Sequence, residues 1–194
     1  EVRTLKLTES LENSIITDKC VLFRDSGGES DGYENNQNYT VVFDAGTGGT
    51  WSVLFNDFDI ETNNDYLQLW KSNTTDSWEV VQYSWMSNND NKYKITNKKS
   101  TLNTDSEQVP STYVNIDAQY IKFTFVSNDS STQKPGWDFH LKSSLFVEHG
   151  LGDKLYVDAS NYTKVSATVN GNPIGTIVST TVTDQKVYAK LTIN

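Results

Sequence analysis

Phe55-Asn56-Asp57-Phe58-Asp59-Ile60-Glu61-Thr62-Asn63-Asn64-Asp65-Tyr66-Leu67-Gln68-Leu69-Trp70 is the stretch on which the reading of this chain turns. Apolar and polar residues alternate from Trp51 to Ile60 and again from Tyr66 to Trp70, which predicts two strands. A short polar loop joins them and carries Glu61 and Asp65 at its two ends. Two carboxylates held a few residues apart between rigid strands can converge on one point, as a hard oxygen-seeking cation such as calcium requires. The loop is therefore a candidate metal site.

Outward from that loop the chain keeps the same character. Tyr39 to Phe43, Tyr113 to Ile116, Tyr120 to Val126 and Trp137 to Leu141 read as further strands, as do Cys20 to Phe23, Tyr93 to Thr96 and an aromatic-rich run from Trp78 to Trp85. The turns between them are rich in Asn, Asp, Ser and Gly, and no Leu/Ala/Glu-rich helical period occurs, so the class is all-β. About nine short strands between residues 20 and 143 indicate a β-sandwich. Asp44 to Gly49 is a compact turn, either a hairpin or a corner between sheets. Because a strand and not a helix follows it, its glycines are not a phosphate cradle. Residues Asn97 to Ser111 hold few apolar side chains and read as an exposed loop.

The chain has 194 residues, a formal net charge of -9, two histidines and one cysteine. Its negative charge argues against nucleic acid, whose phosphates need clustered Lys and Arg. A lone Cys20 excludes an internal disulfide and a Cys-based metal site. No apolar run is long enough to span a membrane as a helix, and Glu1-Val2-Arg3 does not open a signal peptide; the start without Met suggests a processed product. His140 and His149 sit in no nucleophile elbow or metal-binding helix, so an enzymatic reading has little support. Asn38, Asn73, Asn128 and Asn161 each head an N-x-Ser/Thr sequon.

The order of motifs resembles the CUB domain. It runs through Phe58-Asp59-Ile60-Glu61, the short loop, Asp65-Tyr66-Leu67-Gln68-Leu69, then Phe123 to Ser131 leading to Gly136-Trp137. It is especially similar to bacterial CUB-like modules of secreted proteins, which open with a segment like Asp25-Ser26-Gly27-Gly28 and continue through Gly32-Tyr33 to Thr40. The resemblance covers about Cys20 to Ser143. It implies a CUB-like antiparallel β-sandwich of jelly-roll type, secreted or at a cell surface, that recognises a protein partner without catalysis. It also implies calcium at one end, held by Glu61, Asp65 and Asp129 with a backbone carbonyl near Ser131, and a supporting hydroxyl from Tyr33 or Tyr39. The loop Thr62-Asn63-Asn64 lacks the disulfide usual in animal members, and the third motif reads Ser-Asn-Asp, so Asn128 competes with Asp129 for the ligand position. Asp129 is preferred for its spacing to Gly136 and its carboxylate.

A calcium-containing carbohydrate-binding module is the alternative, because exposed aromatic rings stack on sugars. Trp51, Trp70 and Trp137 are expected in the core or in cross-strand pairs, whereas Trp78 and Trp85 lie beside polar loops and are expected to be exposed and available to a ligand. The resulting division is an amino-terminal strand or connector over 1–19, the CUB-like sandwich over 20–143 and a smaller β unit over 144–194. That last unit is either a truncated, Ig-like domain or one completed by strands from the first eighteen residues.

Overall fold

The computed structural model describes residues 2–61, 64–83, 85–89, 92–95, 110–129, 134–147, 155–159, 165–169, 172–173, 175–183 and 186–193. The chain divides into two compact units, Glu1–Phe146 and Val147–Asn194.

The first unit is built from β1 (Arg3–Lys6), β2 (Ser14–Ile16), β3 (Cys20–Arg24), β4 (Asn38–Asp44), β5 (Trp51–Asp59), β6 (Tyr66–Ser72), β7 (Glu79–Val80), β8 (Ser87–Asn89), β9 (Lys92–Lys94), β10 (Val114–Ile116), β11 (Tyr120–Val126) and β12 (Gly136–Ser143). Two five-stranded sheets face each other, one ordered β1-β3-β12-β5-β10 and the other β2-β4-β11-β6-β7. β5 and β6 therefore belong to opposite sheets, and the loop carrying Glu61 and Asp65 crosses from one to the other at an end of the sandwich. The Asp44–Gly49 turn likewise joins β4 to β5 across the sheets, which makes it a corner and not a hairpin.

The alternation in the sequence becomes burial. Phe123 and Phe125 on β11, Leu67 and Leu69 on β6, and Phe139 and Leu141 on β12 are inaccessible to solvent, while the residues between them on β11 and β12 are half-buried. The inner faces meet through aromatic rings: Phe123 lies 5.9 Å from Phe139 and Phe125 packs edge-on to Trp137 at 4.7 Å. Burying each such ring stabilises the fold by about 2 kcal/mol in transfer alone. Trp51 and Trp137 are core residues, as expected.

The structure corrects two expectations, the exposure of Trp85 and the extent of the strand that begins near Trp78. Trp85 is only 8% exposed: it stacks on Tyr83 at 5.4 Å and packs edge-on against Phe55 at 5.1 Å. Trp70 is half-buried on the outer side of its sheet, because it follows the fully buried Leu69 by one residue on an alternating strand. Among the described residues of the run from Trp78 to Trp85, a strand forms at Glu79–Val80 alone, beyond which Val81 N–H still donates to Leu69 O at 2.8 Å. Residues 1–19 contribute to both sheets: β1 pairs parallel with β3 and β2 parallel with β4, so the edge pairs on one side are parallel within an otherwise antiparallel sandwich. Nearly all of the Asn97–Ser111 loop lies outside the described residues.

The second unit contains β13 (Leu155–Ala159), β14 (Val165–Val169), β15 (Asn172–Pro173), β16 (Gly175–Thr183) and β17 (Lys186–Ile193). β13, β14 and β15 form one antiparallel sheet, and β16 pairs with β17.

One close approach ties the loop end of the sandwich together. Gly136 has φ +87, and a Cβ there would collide with the carboxylate of the fully buried Asp25. Gly48 has φ +77, but open space surrounds its missing Cβ. Gly136→Ala is expected to cost about 3 kcal/mol or more and Gly48→Ala about 1 kcal/mol, read as midpoint shifts in urea unfolding. Equal costs at the two positions would show that the Asp25 contact is not what makes Gly136 necessary.

Candidate functional site

The loops after β3, after β5 and after β11 emerge at the same end of the sandwich, because Asp138 pairs with both Arg24 and Asp57, and Val126 with both Asn38 and Tyr66. Tyr33 is at the centre of this end. Its ring is 1% exposed and packs edge-on against Phe125 at 5.1 Å. Its hydroxyl donates to Asp65 Oδ2 at 2.5 Å and accepts from the backbone N–H of Glu61 at 2.9 Å. A single phenol thus fixes both ends of the Glu61–Asp65 loop. Tyr39, the other tyrosine of this segment, is half-buried on β4.

Asp65 is 4% exposed and is held from a third direction, since its Oδ1 accepts the backbone N–H of Asn128 at 2.9 Å. That bond docks the turn after β11 onto the loop after β5. Asn128 O in turn accepts Asn36 N–H at 2.8 Å, and Asn36 adopts φ 57, a left-handed conformation that Asn tolerates well. Ser127 completes the connection: its hydroxyl donates to Glu34 O at 2.8 Å and accepts Gln37 N–H at 2.9 Å. Glu61 receives Asn64 Nδ2 on Oε1 at 3.3 Å, whereas its Oε2 is buried without a hydrogen-bond partner. A buried carboxylate oxygen with no donor costs several kcal/mol unless something positive meets it.

Asp25 is a functional-end residue that sequence reasoning placed only in a turn. Its Oδ1 accepts Gly27 N–H at 2.8 Å, closing an Asx turn, and its Oδ2 accepts Trp137 N–H at 2.9 Å across 112 residues. Burial raises its pKa, and the backbone N–H groups of Trp137 and Gly27 oppose that rise. The local Asp-Ser-Gly-Gly signal was visible in the sequence, but the long-range bond was not.

Of the expected metal ligands, Glu61 and Asp65 are brought together through Tyr33. Asp129 is exposed, one residue beyond the Asn128 N–H that binds Asp65, and Ser131 lies outside the described residues. Among the described residues no three His, Cys, Asp or Glu side chains gather as a metal cluster. Glu61 and Asp65 still fit a hard cation: both are carboxylates, and one keeps an orphaned oxygen. Of the expected ligand-contacting aromatics, Trp78 is half-buried at a distance from this end and Trp85 belongs to the core.

No family model and no curated protein sequence matches the chain. Solved structures do. The CUB2 domain of MASP-1, in a crystal structure bound to Ca2+, is 14% identical, with a TM-score of 0.45 over 68% of this chain and 98% of that one. The CUB1-EGF-CUB2 domains of rat MASP-1 are 16% identical, with a TM-score of 0.47 over 70% of this chain and 44% of that one. The corresponding human MASP-1/3 domains are 12% identical, with a TM-score of 0.45 over 71% and 46%.

Desolvation and the hydrogen bond to Asp65 both raise the Tyr33 pKa above its ordinary value of 10.0. A raised folded-state pKa means the associated stability is fully present below pH 10 and is lost as the pH rises through the folded value. Tyr33→Phe removes a donor from Asp65 and an acceptor from Glu61 N–H, and is expected to cost about 2–3 kcal/mol at neutral pH. In chemical unfolding followed against pH, the gap between wild type and Tyr33→Phe should narrow above pH 10. A gap that stays constant would exclude the phenol–carboxylate bond as its source.

Proposed function

We propose that this chain is a non-catalytic extracellular recognition module whose amino-terminal sandwich binds calcium at its loop end and uses that end to engage a protein partner. The observation that carries this reading is the buried Glu61 Oε2, unpartnered beside a loop whose other carboxylate, Asp65, is already oriented by Tyr33 and the Asn128 N–H. A bound Ca²⁺ supplies the positive charge that the Glu61 oxygen lacks. Calcium takes six to eight oxygens, so the remaining ligands come from backbone, water and the turn after β11. The resemblance puts Asp129 and the carbonyl near Ser131 in those places, with Asn128, whose backbone N–H binds Asp65, as the competing position.

With the metal in place, the loops after β3, β5 and β11 form one rigid acidic surface. Glu61, Asp65 and Asp129 together leave a local formal charge of about -1 around Ca²⁺, enough to attract a Lys or Arg of the partner. Secretion or display at a bacterial surface follows from the same resemblance. Among the described residues no helix is long and apolar enough to cross a membrane.

At 1 mM calcium and a dissociation constant of about 10⁻⁴ M, the metal stabilises the fold by about 1–2 kcal/mol. Thermal unfolding in calcium against EDTA is expected to show an upward shift that disappears in Glu61→Gln and in Asp65→Asn. Asp129→Ala abolishes the shift if its carboxylate is the third ligand, and Asn128→Ala does so if the amide is. A melting temperature indifferent to calcium would end the metal reading.

A further inference from the structure

Glu61 and Asp65 have four carboxylate oxygens between them, and three of the four already receive a donor. Asp65 Oδ2 accepts the Tyr33 hydroxyl at 2.5 Å, and Oδ1 accepts the backbone N–H of Asn128 at 2.9 Å. Glu61 Oε1 accepts the side-chain amide of Asn64 at 3.3 Å, while Oε2 has no hydrogen-bond partner. The donors differ in kind. Those on Asp65 are a buried phenol and the chain itself, whereas Asn64 is exposed and reaches back to Glu61 with a side chain from the same short loop.

How many oxygens a carboxylate turns towards a cation decides which cation it suits. Ca²⁺ takes about six to eight oxygens in flexible geometry and gains from a carboxylate that grips it with both. Mg²⁺ is smaller, demands near-octahedral geometry and gives up water reluctantly, so it is held by one or two carboxylates with waters filling the remaining places. Glu61 offers a single oxygen as long as the Asn64 amide occupies Oε1. Asn64 and Asp129 at this end are exposed, so water is at hand to complete a shell of the second kind.

We propose that the Asn64 amide sets the cation selectivity of the loop end, holding Glu61 to one oxygen on the ion so that Mg²⁺ is admitted beside Ca²⁺; this rests on the reading of that end as a calcium site. Asn64 is a positioning residue, since it acts on the ion through Glu61. Replacing it by alanine changes no formal charge. The Coulomb attraction for two ions of equal charge therefore moves alike and cancels in the ratio of their affinities. What changes is the freedom of Glu61 to bring Oε1 round to the ion, and that benefits the larger cation.

Isothermal titration of the full chain, stripped of metal with EDTA and dialysed, tests this with calcium chloride and magnesium chloride added separately to wild type and to Asn64→Ala. Wild type is expected to bind both ions, with Ca²⁺ preferred by less than about tenfold, and Asn64→Ala to raise that preference about fivefold or more. The infrared carboxylate stretches give a second readout: in Ca²⁺ the separation of the antisymmetric and symmetric bands should be narrower in Asn64→Ala, as a second Glu61 oxygen reaches the ion. Asn64 is exposed, so the two proteins should melt alike in EDTA. A wild-type preference for Ca²⁺ beyond tenfold, or a ratio that Asn64→Ala leaves unchanged, would overturn the proposal and leave the calcium site standing. Binding of neither ion by wild type would end the calcium reading itself, and the proposal with it.

Discussion

The sandwich depends on the interlock of aromatic rings between its two sheets. Phe23, Phe123 and Phe139 come from different strands, two in one sheet and one in the other, and lie within 6.5 Å of one another. Their bulk sets the spacing of the layers, and that spacing decides where the loops at the end can reach. Phe125 and Trp137 extend the slab to that end, where the Tyr33 ring packs on Phe125. The polar network is thus seated directly on the apolar core: the carboxylates are aligned because the phenol is, and the phenol is aligned because its ring is packed.

This arrangement lets three loops distant in sequence act as one body. Asp25 ties the loop after β3 to the start of β12, Ser127 and Asn128 tie the turn after β11 to the segment before β4, and Asp65 joins that turn to the crossover after β5. Each bond uses a backbone N–H, so the positions are fixed by the chain itself and not by flexible side chains alone.

Much of this was legible in the sequence, and the parts that were not have a common cause. Period-two alternation marked β5, β6, β11 and β12 because both the core face and the solvent face of those strands are continuous. The same signal misled at Trp78 to Trp85, where Trp85 packs on Phe55 after the chain has left the sheet, so its burial owes nothing to strand alternation. β1 and β2 are four and three residues long with weak patterning, and their parallel pairing is a tertiary fact that no local period encodes. Glu61 and Asp65 could be picked out because a short loop holds them together, and Tyr33 through a family likeness. Asp25 could not, since its partner lies 112 residues away.

The four edge strands of the two five-stranded sheets, β1, β2, β7 and β10, are four, three, two and three residues long. A longer unpaired edge would offer a template on which a second molecule could extend the sheet, the usual route by which β-rich proteins polymerise. Edges this brief give an incoming strand too few hydrogen bonds to hold. The sandwich therefore resists growth by strand addition at its own edges.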